Sequence, residues 1–165
     1  MSDARVTLRP PRTDDAAAIW RLLPAIGGLE RNTAYAYLLV CSHFADTSIV
    51  AERDGAIVGF VAGYRPPTQP TSLFVWQVGV APDARGLGLA GRMLDGVLAA
   101  PACRDVRYLC ATVSPDNQAS LALFRGVARR HRIPCEEATC FPARLFPEPH
   151  PDENLLRIGP LPASS

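Results

Sequence analysis

The stretch VWQVGVAPDARGLGLAGRML, residues 75–94, decides the fold, because it joins a strand pattern to a glycine-rich turn and the start of a helix. It continues the run SLFVWQVGV, Ser72 to Val80, which is apolar, β-branched and aromatic enough to predict a central strand. A Pro-Asp pair then turns the chain into a helix predicted from about Leu87 to Ala99. The first amides of a helix lack intrahelical partners and carry the positive end of its dipole, so they bind phosphate where glycines leave access. The glycines here are Gly86, Gly88 and Gly91.

Two other phosphate motifs fit this turn less well. Residues 86–91 match the GxGxxG pattern of dinucleotide-binding folds, but five residues separate them from the strand. The acidic residue expected about 20 positions on is missing from the next predicted strand, VRYLCATV, Val106 to Val113. No Gly-Lys-Ser/Thr follows the glycines, which excludes a P-loop. A purely structural turn remains open.

The rest of the chain predicts a strand meander followed by strands that alternate with helices. Asp54-Gly55, a strong hairpin signal, separates two of the strands. The further strands are Val6 to Arg9, SIVAER (48–53), AIVGFVAGYR (56–65), CEEATCF (135–141) and NLLRIG (154–159). The further helices are a segment capped by Thr13 or Asp14 and ending at Pro24, one from Ala34 to Phe44 capped by Asn32 or Thr33, and NQASLALFRGVARR (117–130) capped by Asp116 or Asn117. This order predicts an α/β or α+β fold with a mixed sheet, in a single domain over residues 1–165.

Composition narrows the class of protein. A net charge of +1 removes the electrostatic case for binding nucleic acid or a membrane surface. The start MSDARVTLRP lacks the apolar core of a signal peptide, and no apolar run is long enough to span a membrane. The 5 cysteines contain no CxxC pair, which favours reduced thiols in the cytoplasm. His131, Cys135 and Cys140 fit no paired zinc spacing, so we expect no metal.

The pattern Arg85-x-x-Gly88-x-Ala90, after a strand containing Val78 and Val80, resembles the acetyl-CoA signature of the GNAT superfamily of N-acyltransferases. The resemblance covers nearly the whole chain. It implies the GNAT fold, in which a mixed sheet flanked by helices has a splayed central strand that pairs with the pantetheine amides of acetyl-CoA. The cofactor-binding residues that it implies are Val78, Val80, Arg85, Gly86, Gly88, Ala90, Gly91, Asn117 and Phe124.

Phe124 departs from the pattern of this superfamily. Many members have a tyrosine there, which can protonate the leaving thiolate, whereas phenylalanine has no proton to give. Water and Tyr108 are the remaining candidates for a general acid, and the sequence favours neither.

Longer blocks resemble a narrower family, the diaminobutyrate acetyltransferases of ectoine biosynthesis. They occur in the same order: ERNTAYAYLLVCSHFADTSIVAE (30–52), GFVAGYRPPTQPTSLFVWQVGV (59–80), ASLALFRGVARR (119–130) and ENLLRIGP (153–160). The implied reaction transfers an acetyl group from acetyl-CoA to the 4-amino group of L-2,4-diaminobutyrate and gives N4-acetyl-L-2,4-diaminobutyrate and CoA. The resemblance also implies a homodimer.

Diaminobutyrate carries two ammonium groups and a carboxylate, so its pocket needs carboxylates, an aromatic wall and a hydrogen-bond donor. Glu30, Tyr35 and Trp76 match positions of the family's substrate pocket, although the family usually has aspartate in place of Glu30. His150 belongs to the same predicted set, and Glu153 lies in the acidic segment after it. Since an amine with a pKa of about 10 is mostly protonated, a base should help, and Glu153 is the candidate, directly or through water.

Plainer roles exist for each of these residues. Trp76 and Tyr35 could be packing residues, and Glu30 and Glu153 could be solvated carboxylates. A hydrolase is disfavoured because no nucleophile signature such as GxSxG accompanies the histidines. Two rival functions stay open, namely acetylation of another small amine or a protein N-terminus, and a non-catalytic regulator that binds acyl-CoA.

Overall fold

The computed structural model describes residues 5–163 and divides the chain into two compact units. The first unit comprises Met1–Tyr64 and Trp76–Arg104, and the second comprises Arg65–Val75 and Asp105–Ser165. The predicted single domain over residues 1–165 stays a prediction. Within the described residues, no helix is long and apolar enough to cross a membrane.

The first unit contains a strand meander covered by helices. Its elements are β1 (Val6–Arg9), α1 (Ala16–Ile26), α2 (Ala34–His43), β2 (Ile49–Arg53), β3 (Ala56–Tyr64), the second half of β4 (Ser72–Val80) and α3 (Leu89–Leu98). Strands β1, β2 and β3 pair antiparallel, and β4 neighbours β3. Asp54 and Gly55 turn the β2–β3 hairpin with φ values of 52° and 78°. Both are left-handed, as this dipeptide predicts for a tight hairpin.

Helices α1 and α2 pack over this sheet around a core that includes Ile19, Leu23, Tyr37, Val40 and Phe60. The side chain of Tyr37 is fully buried. Helix α2 is apolar on nearly every face, and its exposed side chains include Tyr35 and Leu38.

Helix α1 differs from its predicted bounds at both ends. It begins at Ala16 after a 3₁₀ turn over Thr13–Asp15, and it continues past Pro24 to Ile26. Pro24 has no N–H to donate to the Trp20 carbonyl, and the helix ends two residues after it. Gly27, with a φ of 70°, follows the helix as its C-cap.

The second unit is built from the first half of β4 and the C-terminal part of the chain. Its other elements are β5 (Tyr108–Val113), α4 (Gln118–His131), β6 (Cys135–Phe141) and β7 (Glu153–Ile158). Strand β5 pairs parallel with β4, and β7 lies antiparallel between β5 and β6. The β4–β5 ladder ends at Val75↔Ala111, although β4 continues to Val80. The mixed α/β architecture is as predicted, and this early end of the ladder is the splay expected of the central strand.

An ion cluster ties the N-terminal strand of the first unit to the start of its first helix. The Arg9 guanidinium donates to both oxygens of Asp15, at 2.7 and 2.9 Å, and to Glu52 at 2.9 Å. Asp15 is buried and also accepts from the Arg12 backbone N–H at 2.7 Å. The hydrogen bond from Arg9 holds the pKa of the Asp15 carboxyl below its usual value, against the opposing effect of burial.

We expect Asp15→Asn to lower the free energy of unfolding by about 1–3 kcal/mol at pH 7, because a charge-assisted hydrogen bond in a buried position is weakened. A carboxyl whose folded pKa is depressed stabilises above the unfolded value of about 3.9, and that stabilisation is lost as pH falls through the folded pKa. The difference between wild type and variant should therefore shrink below pH 4. Urea unfolding at pH 7 and pH 3 measures it. The exposed neighbour provides the control, since Asp14→Asn should change little at either pH.

Candidate active site

The glycine-rich turn opens helix α3 with backbone conformations that glycine favours. Gly86 and Gly88 have φ values of 81° and 67°, and a Cβ at either position would meet no atom within 4 Å. The positive φ values, and not a lack of space for a side chain, therefore explain why glycine occupies these two positions. Gly88 is the N-cap, and the first intrahelical bond runs from the Arg92 N–H to its carbonyl at 3.1 Å. The amides of residues 89–91 thus have no intrahelical acceptor and can bind an anion.

Arg85 has a partner that the sequence did not predict. Its Nη2 donates to the Ile26 carbonyl at 2.7 Å, at the C-terminal end of α1. A cation there is favoured by the negative end of the helix dipole. Arg85 is exposed, and its predicted role at the cofactor stays a prediction.

The second half of β4 presents two different faces. Trp76, Val78 and Val80 alternate with Gln77 and Gly79, which are buried. Val78 and Val80 are half-buried, and Trp76 is 38% exposed. The ladder with β5 ends at Val75, so among residues 5–163 no strand pairs with that edge of β4 beyond it, and an extended amide chain could pair there.

The aromatic residues near β4 have different roles. The Trp76 ring stacks on Tyr37 with ring centroids 5.8 Å apart. Tyr35, two residues earlier on α2, is 67% exposed, so it does not pack in the core of the first unit. Of the two tyrosines, Tyr37 is the packing residue and Tyr35 the accessible one.

Residues 27–33, which we call the Glu30 loop, connect α1 to α2 and are held by hydrogen bonds to the loop backbone. Gln77 Nε2 donates to the Glu30 carbonyl at 2.8 Å, and Trp20 Nε1 donates to the Asn32 carbonyl at 3.0 Å. The Arg31 guanidinium lies 3.3 Å from the Trp20 ring centroid, which adds a cation–π contact. Glu30 is itself exposed, so a fixed backbone presents a carboxylate to solvent.

Gly79 lets the chain next to this loop approach the strand. A Cβ at this position would lie 2.6 Å from Ile26 Cδ1, 3.1 Å from Leu29 Cδ1 and 3.2 Å from Phe60 Cε1. Those distances are shorter than ordinary carbon–carbon contacts. A side chain at position 79 would therefore have to displace the ends of the Ile26 and Leu29 side chains.

In the second unit, Asn117 and Phe124 both belong to helix α4. Asn117, one of the two predicted candidates, is its N-cap, and its Oδ1 accepts from the Ser120 N–H at 3.1 Å. The Phe124 side chain is buried and has no proton to donate. Tyr108, the other candidate general acid, lies under the Arg157 guanidinium, whose carbon is 3.5 Å from the ring centroid.

His150 and Glu153 lie in the segment that enters β7. The His150 ring stacks on Phe146 with centroids 3.7 Å apart, and its Nδ1 lies 2.6 Å from the Pro151 carbonyl. Since a carbonyl only accepts, Nδ1 carries a proton, and in the neutral ring Nε2 is then an acceptor. Asp152 Oδ1 accepts from the Ala143 N–H at 2.7 Å, which closes the segment into a short loop. Glu153 is half-buried at the first position of β7.

Gln77 and Trp20 are the site residues that sequence reasoning missed. Gln77 was detectable in principle, because it is the one amide side chain in the apolar run SLFVWQVGV. Trp20 gave no such signal, since a tryptophan on an amphipathic helix is ordinarily a packing residue.

Burial favours the neutral thiol at four of the 5 cysteines. Burial raises the pKa of Cys41 to about 11, and burial is also the main cause of raised pKa values at Cys110, Cys135 and Cys140. These thiols are therefore protonated at neutral pH. Among residues 5–163, no group of three or more His, Cys, Asp or Glu side chains could hold a metal ion.

Comparison with known proteins gives concordant results. Residues 16–127 match the model of the acetyltransferase (GNAT) family. The L-2,4-diaminobutyric acid acetyltransferase of Shouchella clausii is 44% identical over 94% of this chain and 88% of its own length. The protein of the same name from Bordetella parapertussis is 48% identical over 96% of this chain and 87% of its own length.

One solved structure is similar along nearly the whole chain. It is the diaminobutyrate acetyltransferase EctA of Paenibacillus lautus in complex with L-2,4-diaminobutyric acid and coenzyme A. The TM-score is 0.91 and the identity is 42%, over 95% of this chain and 96% of the other.

We expect Gly79→Ala to lower the free energy of unfolding by about 1–3 kcal/mol, because the added methyl group overpacks the contact with Ile26 and Leu29. The Glu30 loop should also become more accessible, which limited trypsin cleavage after Arg31 detects. Gly126→Ala is the matched control. Its Cβ would come no closer than 3.8 Å to the ends of two arginine side chains, and alanine favours the helix by about 0.5–1 kcal/mol. Equal stability of the two variants would contradict the packing argument.

Proposed function

The chain belongs to the GNAT family of acetyltransferases, and on this basis we propose that it transfers the acetyl group of acetyl-CoA to the 4-amino group of L-2,4-diaminobutyrate. The products are N4-acetyl-L-2,4-diaminobutyrate and CoA, and the reaction is a step of ectoine biosynthesis. Acetyl-CoA is a co-substrate, and the reaction needs no metal.

The observation that carries this proposal is the likeness to the Paenibacillus lautus enzyme in complex with diaminobutyric acid and coenzyme A. An identity of 42% with a TM-score of 0.91 extends over nearly the full length of both chains. Relatives at 44% and 48% identity carry the corresponding enzyme name. Phe124 in place of the usual tyrosine would suit a non-catalytic role, but the likeness to proteins that are named as enzymes outweighs it.

The reaction is a direct transfer in a ternary complex. The neutral 4-amino group attacks the thioester carbonyl, a C–N bond forms, and the C–S bond of acetyl-CoA breaks. The nitrogen loses one proton, and the departing sulfur takes up a proton to give the CoA thiol. Holding amine and thioester together removes the entropic barrier of a bimolecular encounter, and a backbone amide near Val78 is the proposed donor to the oxyanion.

The cofactor groups form one proposed set along β4 and α3. Pantetheine pairs with β4 at Val78 and Val80, and the free amides that begin α3 bind the pyrophosphate. Support comes from the left-handed φ values at Gly86 and Gly88 and from the absence of an intrahelical acceptor for residues 89–91. Arg85, Ala90, Gly91, Asn117 and Phe124 complete the proposed set. The Oδ1 atom of Asn117 caps α4, and its amide nitrogen is the proposed donor to the cofactor.

The proposed amine-binding residues are Glu30, Tyr35, Trp76 and His150. Glu30, Tyr35 and Trp76 are exposed, which supports this role. The exposure is informative for Tyr35 and Trp76 because large aromatic side chains are otherwise mostly buried. A carboxylate and aromatic faces suit an ammonium group. The Nε2 atom of His150 is an acceptor that could bind the second ammonium group.

Glu153 is proposed as the base that takes the amine proton, directly or through a water molecule. It is half-buried and begins a strand, so its backbone is fixed while its side chain keeps access. We assign no general acid. The family resemblance further supports a homodimer, and 5 cysteines without a CxxC pair support a cytoplasmic location.

The first test is turnover. Purified protein with acetyl-CoA should release CoA thiol when L-2,4-diaminobutyrate is added, and the product should be the N4-acetyl isomer by NMR. A panel of ornithine, lysine, putrescine and an N-terminal peptide defines the acceptor. If the protein acetylates only another amine, that amine replaces diaminobutyrate as the proposed substrate. If it binds acetyl-CoA but acetylates no amine, the regulator is favoured.

The second test concerns the base. We expect Glu153→Gln to lower kcat/KM for diaminobutyrate by about 10²-fold or more at pH 7.5, which is the usual contribution of a general base. The loss should shrink as pH rises towards the amine pKa of about 10, because the free amine then no longer needs a base. The control is Glu148→Gln, at an exposed glutamate of the same segment, which should retain the wild-type profile. A Glu153→Gln enzyme with an unchanged pH profile would refute the assignment.

A further inference from the structure

We propose that Gln77 is a positioning residue that sets the selectivity of the enzyme for the length of its diamine, by fixing the Glu30 loop relative to Trp76. This inference rests on the proposed function, because it takes Glu30 and Trp76 as groups that bind the amine substrate.

Gln77 lies between two partners and is only 6% exposed. Its Nε2 donates to the Glu30 carbonyl at 2.8 Å, and its Oε1 accepts from the Tyr37 hydroxyl at 2.9 Å. Both ends of the amide are therefore used. A buried amide bonded in this way has one favoured orientation, because turning it over would place Oε1 against the Glu30 carbonyl, and two acceptors cannot form a hydrogen bond.

Tyr37 extends this connection to Trp76. Its side chain is 0% exposed, and its ring stacks on Trp76 at a centroid distance of 5.8 Å. A continuous path of direct contacts thus runs from the backbone of Glu30 through Gln77 and Tyr37 to the Trp76 ring. Core packing holds Tyr37 in place and Trp76 belongs to β4, so the Glu30 backbone is the part that Gln77 positions.

The contact geometry explains why the loop needs this bond. The Glu30 side chain makes no hydrogen bond or ion pair with the residues that the structure describes, and its carboxylate is held only through its own backbone. Asn32 Nδ2 also reaches the Glu30 carbonyl, but at 3.3 Å and from within the same loop. Gln77 therefore supplies the one hydrogen bond from outside the loop that reaches Glu30.

A fixed separation between the Glu30 carboxylate and the Trp76 ring selects diamine substrates by the length of their carbon chain. One methylene group in a fitted pocket changes kcat/KM by about 10-fold to 200-fold, so wild type should prefer diaminobutyrate to ornithine by that order. Releasing the loop lets the carboxylate follow the longer chain. The expected signature is therefore a loss of selectivity together with a loss of rate.

The test compares Gln77→Met, which keeps size and burial but removes both hydrogen bonds, with the control Gln69→Met at an exposed glutamine. Steady-state kinetics with diaminobutyrate, ornithine and acetyl-CoA give the readout. For Gln77→Met, kcat/KM for diaminobutyrate should fall by about 10-fold to 100-fold through KM, and the preference over ornithine should fall by about 10-fold. The KM for acetyl-CoA should not change, and Gln69→Met should behave as wild type.

A second variant keeps the test decisive if Gln77→Met does not fold. Tyr37→Phe keeps the stacking ring and removes only the hydroxyl that orients the Gln77 amide, so it should lose part of the same selectivity. If Gln77→Met folds and keeps wild-type selectivity, the proposal is overturned. If Gln77→Met does not fold, wild-type selectivity of Tyr37→Phe overturns the proposal. So does an equal loss for both diamines, which would indicate general structural damage.

The two proposals fail in different ways. If wild type acetylates neither diaminobutyrate nor ornithine, the proposed function is wrong and the inference falls with it. If wild type acetylates diaminobutyrate and the variants keep its selectivity, only the role of Gln77 is wrong.

Discussion

The end of the β4–β5 ladder at Val75 is the constraint on which the site depends. A central strand is normally satisfied on both edges, and unpaired backbone groups in an apolar setting are costly. Among the described residues, β4 pairs with no strand on that edge from Trp76 onward, and this half of the strand is apolar except at Gln77. An extended ligand that carries amides can supply the missing bonds, which makes the open edge useful instead of merely destabilising.

The Glu30 loop shows how few contacts suffice to hold a functional segment. Its backbone is held by hydrogen bonds from Gln77 and Trp20 and by the packing of Leu29 against Gly79. The carboxylate of Glu30 stays in solvent. Arg85 adds a bond to the last carbonyl of α1, just before the loop. Loops with function are commonly held this way, with order in the backbone and freedom at the reactive side chain. β4 and the turn after it thus contribute to both proposed ligand sites.

Elements with strong local signals could be predicted from the sequence. Asp54-Gly55 gave the hairpin, Asn117 gave the cap of α4, and the run from Ser72 to Val80 gave β4 with its observed bounds. The extension of α1 past Pro24 could not be predicted from the sequence, because proline ordinarily ends a helix. Only the structure shows that two helical residues follow Pro24. The links from Gln77 and Trp20 to the Glu30 loop were hidden for a related reason. Each joins residues that are distant in sequence through a backbone carbonyl, which every residue has.

The tryptophans of this chain have a consequence for spectroscopy. There are 2, Trp20 and Trp76, and both belong to the surroundings of the Glu30 loop. The Trp20 indole donates to the Asn32 carbonyl of the loop and lies under the Arg31 guanidinium. Trp76 is partly exposed and is next in sequence to Gln77, which anchors Glu30. The long-wavelength intrinsic emission of the whole protein therefore originates at this one place. The chain carries a native optical reporter of the Glu30 loop, with no label to introduce.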